Sequence, residues 1–284
     1  MNSWGKVFLV VFIFFATSIV TVAALGLLSY FNPEIMNARS SLIIVQTICS
    51  IAQSALAGVV ASMIIFKRPL PPFTERQTTI GAFILTFIFI GICQPLVTWA
   101  SYVNYLIINN LGLDWAIEMQ NQNNNLVARL LAFDTPFDWA VSIFVIAIVP
   151  AFCEELFFRG VLQRTIVKAS KNVAFAIVVS AAFFSIMHMD LLAFVPRIIL
   201  GVVLGLIFHL SGNLWLSIIA HCINNLAVVI MLGINRSETP IAEQLSKTAE
   251  NPGPVLPIAS LLLCIYVVMR FIAWRKVAND GNNQ

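Results

Sequence analysis

The chain has 284 residues, of which 60% are hydrophobic and 10% are charged, and its formal net charge is +3. In soluble domains roughly a quarter of the residues are charged. This composition therefore has too few charged residues to cover a surface that faces water. The small net charge gives no reason to expect a nucleic-acid partner. We therefore predict an integral membrane protein whose first partner is the lipid bilayer.

Eight apolar stretches come close to or exceed the ~20 residues that a membrane-spanning helix needs. In chain order they cover 6–30, 41–66, 79–108, 139–168, 172–190, 191–210, 213–234 and 254–274. The first is too long for the apolar core of a signal peptide, so we expect it to be retained as an anchor. The sequence predicts an all-α fold, a polytopic membrane helical bundle of about eight transmembrane helices.

The basic residues predict the orientation of these spans. With eight spans both termini lie on one side of the membrane, and 11 of the 16 Lys and Arg residues fall on that side. They are Lys6, Lys67, Arg68, Arg76, Arg159, Arg164, Lys168, Lys171, Arg270, Arg275 and Lys276. Because positive residues concentrate in cytoplasmic loops, we expect both termini in the cytoplasm and the protein in the plasma membrane.

The spans group into three regions. Residues 1–138 hold three spans and a long polar loop at about 109–138, in whose middle we expect a short interfacial helix. Residues 139–234 form the predicted core. Residues 235–284 contain an outer loop, the last span and a basic tail.

Ionisable residues inside spans cost about 2.5 to 3.5 kcal/mol each, so a cluster of them predicts a functional site. Three motifs carry them here, "EELFFR" at 154–159, "FSIMH" at 184–188 and "HCINN" at 221–225. In the first motif Glu155 and Arg159 have the i,i+4 spacing of a helical ion pair. Glu154 lies about 100° around the helix and can point into a cavity. Pro150 predicts a local opening of the helix beside it, because it cannot donate to the carbonyl of Ile146.

These residue types suit hydrolysis of an amide. The helices that carry Glu154 and His188 are joined near Ser170. Counted in residues from that junction, the two side chains lie at matching heights along their helices. Glu154 is the candidate general base on a water molecule that His188 shares and orients. His221 and Asn225, spaced i,i+4, are candidate donors to the developing oxyanion, at on the order of 3 kcal/mol per donor.

The three motifs, in this order, resemble those of the CAAX-protease and bacteriocin-processing intramembrane proteases, which include the Ras-converting-type prenyl-protein peptidases. The resemblance covers about 139–232. It implies that Glu154 and His188 activate water, that Glu155 pairs with Arg159, and that His221 and Asn225 form the oxyanion site. It also implies an endopeptidase that acts without a metal or other cofactor on a membrane-associated protein or peptide.

Other readings of the same residues remain open. Two histidines and a glutamate also form a zinc ligand set, although an HExxH motif is missing, so a zinc-dependent protease is the alternative among enzymes. A proton-coupled transporter would use buried acids and histidines, but it should distribute them along the membrane. A non-catalytic immunity or scaffold protein would act by binding alone.

The remaining candidate residues have structural interpretations. His209 matches no motif, and Phe184 is expected to pack beside the site. Five scattered cysteines predict neither disulfides nor a thiolate cluster.

Overall fold

The structure is a computed structural model that describes residues 1–36, 38–75, 78–131, 133–235 and 252–280. Within these ranges it contains helices, turns and one isolated antiparallel bridge between Thr74 and Asn213, with no β-strand. The all-α prediction is confirmed. Arg76 and the predicted outer loop at 236–251 lie outside the described residues.

Helices occupy nearly the whole described chain. They are α1 Ser3–Phe31, α2 Arg39–Phe66, α3 Ile80–Asn110, α4 Asp114–Leu130, α5 Pro136–Ser170, α6 Val173–Met187, α7 Phe194–Ser211, α8 Leu214–Asn235 and α9 Val255–Asp280. Seven helices of the described chain, all of these except α4 and α6, are long and apolar enough to cross a membrane. The apolar α6 has 15 residues and occupies the position of the fifth predicted span. The prediction of about eight spans is confirmed, and the chain is an integral membrane protein.

Local sequence explains where the central helices begin and end. Pro136 lies in the first turn of α5, where Thr135 and Asp138 form a reciprocal capping box. Gly212 closes α7 in the left-handed conformation with φ of 65°. Helix α6 ends at Met187, before the predicted boundary at residue 190, because Met189 adopts a left-handed φ of 50°.

One compact unit contains Met1–Phe73, Gln122–Ala176 and His221–Val229. Its core lies against α5, whose Phe157 ring is 4.6 Å from the ring of Phe14 in α1. At the start of α2, Arg39 pairs with Asp138 of α5 at 2.7 Å and donates to the carbonyl of Leu130. Aromatic packing and this ion pair thus join α1, α2 and α4 to the helix that carries the acidic motif.

The second compact unit contains Thr74–Asn121, Ile177–Ala220 and Ile230–Gln284. Helix α3 packs against α7 and α9 in this unit. Helices α6 and α7 approach closely at Gly201, where an added Cβ would lie 2.8 Å from that of Ala181. A larger residue at position 201 would therefore push these two helices apart.

Candidate active site

Helix α5 has two locally widened turns, and both acids of the motif lie between them whereas Arg159 lies in the second. The turns are π-helical over Phe144–Ile148 and Phe158–Gln163, with the α-helical stretch Val149–Phe157 between them. Pro150 lies in the first turn of that stretch and has no N–H for the carbonyl of Ile146. The local opening predicted from Pro150 is present, and π-turns of this kind are frequent at functional sites.

Glu155 is a buried and paired carboxylate. Arg159 Nη1 lies 2.6 Å from Glu155 Oε1, and the two side chains are 1% and 0% exposed. This is the i,i+4 contact that the sequence predicts. Removing one partner of such a pair costs about 3 to 5 kcal/mol, because the other charge stays buried alone. Because Glu155 has no exposed surface, it cannot contact a substrate directly, and it stabilises the side chains around it.

His221 contacts the same oxygen of Glu155. Its Nδ1 lies 2.9 Å from Glu155 Oε1, and the side chain is 3% exposed. A carboxylate that is ion-paired with Arg159 can only accept, so the His221 Nδ1 carries the hydrogen. The local spacing of the motifs gave no sign of this contact, which joins residues 66 positions apart. Glu155 therefore fixes the orientation of the His221 ring as well as balancing Arg159.

Glu154 faces the other nitrogen of the same ring. Its Oε2 lies 3.8 Å from His221 Nε2, and its side chain remains 17% exposed. This distance is too long for a direct hydrogen bond, but one oxygen atom at about 2.8 Å from each group can contact both. The two adjacent acids thus have different surroundings, one fully enclosed and one partly open.

Asn225 lies one helical turn after His221 in α8. Its Nδ2 is 3.5 Å from the carbonyl of Ile146, and its Oδ1 accepts from Asn224 at 3.3 Å. Pro150 has no N–H to donate to the Ile146 carbonyl. This carbonyl is therefore available as an acceptor for the Asn225 amide. An amide nitrogen has two hydrogens, and this long contact uses only one of them.

His188 belongs to the second unit and immediately follows the end of α6. Its Nδ1 lies 2.7 Å from the carbonyl of Phe184, and the two rings meet edge to face with centroids 4.7 Å apart. Because a carbonyl only accepts, Nδ1 carries the hydrogen and Nε2 of the neutral ring is an acceptor. Phe184 is 1% exposed and packs against the His188 ring.

His209 and the five cysteines are not assigned a role in the proposed chemistry. His209 is half-buried in the last turn of α7. Cys49, Cys93, Cys153, Cys222 and Cys264 are free thiols. Across the described ranges, no group of three or more His, Cys, Asp or Glu side chains converges as a metal site would require.

Comparison with known families identifies the region that holds the motifs. Residues 136–227 match the family model described as type II CAAX prenyl endopeptidase Rce1-like. Comparisons with curated proteins and with solved structures gave no match. The resemblance stated from the motifs is confirmed over these residues.

Proposed function

We propose that the protein is an intramembrane endopeptidase that hydrolyses a peptide bond of a membrane-associated substrate with a water molecule activated by Glu154. The observation that carries this proposal is the pair formed by the partly exposed Glu154 carboxylate and His221 Nε2, 3.8 Å apart. That arrangement can hold one oxygen atom between a base and a ring nitrogen.

In the proposed reaction, the Glu154 carboxylate accepts a proton from water while the water oxygen attacks the scissile carbonyl carbon. The carbonyl π electrons move to oxygen and form an oxyanion. When the tetrahedral intermediate collapses, the C–N bond breaks, and Glu154 returns its proton to the leaving amine. His188 is proposed to accept a hydrogen bond from the same water through Nε2, since its Nδ1 is engaged by Phe184.

His221 and Asn225 are proposed to stabilise the oxyanion. His221 would donate from Nε2 in its protonated form, with Glu155 on its Nδ1 at 2.9 Å. Two carboxylates and the cations Arg159 and His221 then sum to zero charge, which suits a buried cluster. Asn225 would donate the amide hydrogen that the Ile146 contact does not use. Each donor is worth about 3 kcal/mol when aimed at developing charge.

We further propose that hydrolysis proceeds without a metal ion. In this mechanism Glu155 and Arg159 are supporting residues. The contacts of Glu155 support this choice over zinc ligation, because Arg159 and His221 already bond to its carboxylate. The proposed substrate is a membrane-associated protein or peptide, including a lipidated one, as the family match supports. The basic residues support an orientation with both termini in the cytoplasm. We place the protein in the plasma membrane as part of the same proposal.

The proposal is tested with purified protein in liposomes, using a peptide with a prenylated C-terminal cysteine motif and its unprenylated counterpart. We expect wild-type protein to release a C-terminal fragment detected by mass spectrometry, and Glu154→Ala to release none. In parallel, a pH-sensitive dye inside the liposomes reports proton flux across the membrane. Proton flux without peptide cleavage would instead identify a transporter, and peptide binding with neither signal would identify a scaffold.

A further inference from the structure

We propose that Asn104 of α3 is a positioning residue for His188 and acts by holding the turn that follows it. The inference rests on the proposed function in one respect, the participation of His188 in hydrolysis. Asn104 precedes the family-matched residues 136–227 and belongs to none of the three motifs. The proposal therefore gives a role to α3, which is a span of the N-terminal region.

The turn between α6 and α7 begins at His188, and its backbone is not helical. Met189 has a φ of 50°, an uncommon conformation for a residue with a side chain. Residues 190–193 then lead into α7 without a helical hydrogen-bond ladder. Backbone carbonyls buried in such a turn need hydrogen-bond partners from the protein.

Asn104 bonds to two carbonyls of the turn, and the N–H of Phe194 also donates to the carbonyl of Leu191 at 3.3 Å. The Asn104 Nδ2 donates to the carbonyl of Leu191 at 2.7 Å and to that of Leu192 at 2.8 Å. The side chain is 5% exposed, so water does not replace these bonds. A carboxamide offers two N–H donors from one atom without introducing a charge. The residue type and its burial therefore match the two successive carbonyls.

Shorter-range bonds complete the turn. Ser185 donates to the carbonyl of Phe194 at 2.7 Å, which ties the last turn of α6 to the first turn of α7. Asp190 accepts from the N–H of Ala193 and pairs with Arg197 at 3.1 Å. These bonds close the turn on itself, whereas Asn104 anchors it to α3.

The turn continues directly from His188, so its anchor to α3 also holds the end of α6 that carries the ring. The ring is bonded through Nδ1 to Phe184 within α6, so its Nε2 moves with the end of that helix. A displacement of about 1 Å in a catalytic group can lower the rate about 10²-fold. Loss of the Asn104 anchor should therefore reduce catalysis without removing any reacting atom.

The 284-residue protein with ¹³C-labelled histidine in detergent micelles tests the proposal. The chain has three histidines, so the imidazole Cε1–H spectrum contains three signals, and His188→Gln assigns the relevant one. We expect Asn104→Leu to shift the His188 signal, leave those of His209 and His221 in place, and lower kcat about 10- to 100-fold with little change in KM. Thr86→Val in the same helix is the matched control, because the buried Thr86 hydroxyl donates within α3, to the carbonyl of Ala82 at 2.8 Å.

Ser185→Ala is the second variant and keeps the proposal testable if Asn104→Leu does not fold. It should shift the same histidine signal by a smaller amount. An unchanged His188 signal in both variants, or equal shifts of all three signals, would overturn the inference. The spectrum does not depend on turnover, so it tests the anchor even if the peptide assay rejects hydrolysis by Glu154.

Discussion

The Nδ1 atom of His221 lies 2.9 Å from the Oε1 atom of Glu155. This contact gives the second acid of the motif two partners, because the same oxygen accepts from Arg159 at 2.6 Å. It also directs the opposite nitrogen of the ring towards Glu154. One buried carboxylate therefore connects helix stability with the geometry of the proposed reaction.

Glu155→Ala should lower both stability and activity. The substitution leaves Arg159 buried without its carboxylate, at a cost of about 3 to 5 kcal/mol, and releases the His221 ring. Thermal unfolding in detergent and peptide cleavage measure the two effects. Unchanged unfolding would contradict the supporting role.

Glu155→Leu combined with Arg159→Met separates these two effects. Apolar replacement of a whole buried ion pair is often neutral for stability, so the double variant should recover most of the unfolding temperature. Activity should stay low, because His221 still lacks its Nδ1 partner. Recovery of activity together with stability would show that Glu155 only balances Arg159.

Asn225→Ala should lower kcat by about 10² to 10³ with little change in KM, because it removes a donor that acts on the oxyanion. Cys222→Ala in the same helix is the control and should stay within about twofold of wild type. Steady-state kinetics with the cleaved peptide provide the measurement. A rise in KM at constant kcat would assign Asn225 to substrate binding instead.

Pro150→Ala should lower activity without lowering stability. Alanine restores an N–H that can bond the Ile146 carbonyl, and this bond competes with the 3.5 Å contact from Asn225. We expect kcat to fall by up to about 10²-fold through misplacement of Asn225, while the unfolding temperature stays the same or rises. A destabilised variant with full activity would contradict this role of the helix opening.

Chelation tests the metal-free proposal. Incubation with EDTA followed by dialysis should leave the cleavage rate within about twofold of its starting value, with a zinc protease treated in parallel as the control. Loss of activity in EDTA that added zinc restores would favour the zinc-dependent alternative.

The sequence predicted those features that depend on local spacing. The spans follow from apolar length, and the contact between Glu155 and Arg159 follows from one helical turn between opposite charges. The opening of α5 also follows from a local cause, the missing N–H of Pro150. The roles of Glu154, His188, His221 and Asn225 stay predictions, derived from the motifs and the family they resemble.

Long-range contacts and special backbone conformations could not be predicted in this way. The bond from His221 to Glu155 spans 66 positions, and the bonds from Asn104 to Leu191 and Leu192 span 87 and 88. No helical periodicity relates residues so far apart. The end of α6 at Met187 depends on the left-handed φ of Met189. A methionine in a sequence does not predict this backbone conformation.

Glu154→Gln tests the central claim most directly, because it keeps the size of the side chain and removes its ability to accept a proton from water. Turnover and peptide affinity should be measured on the same preparation, with His209→Ala as the control expected to match wild type. We predict that Glu154→Gln binds the peptide with nearly unchanged affinity and that its turnover falls below detection. Near-normal turnover with lost peptide binding would contradict the account, since Glu154 would then recognise the substrate and another group would activate the water.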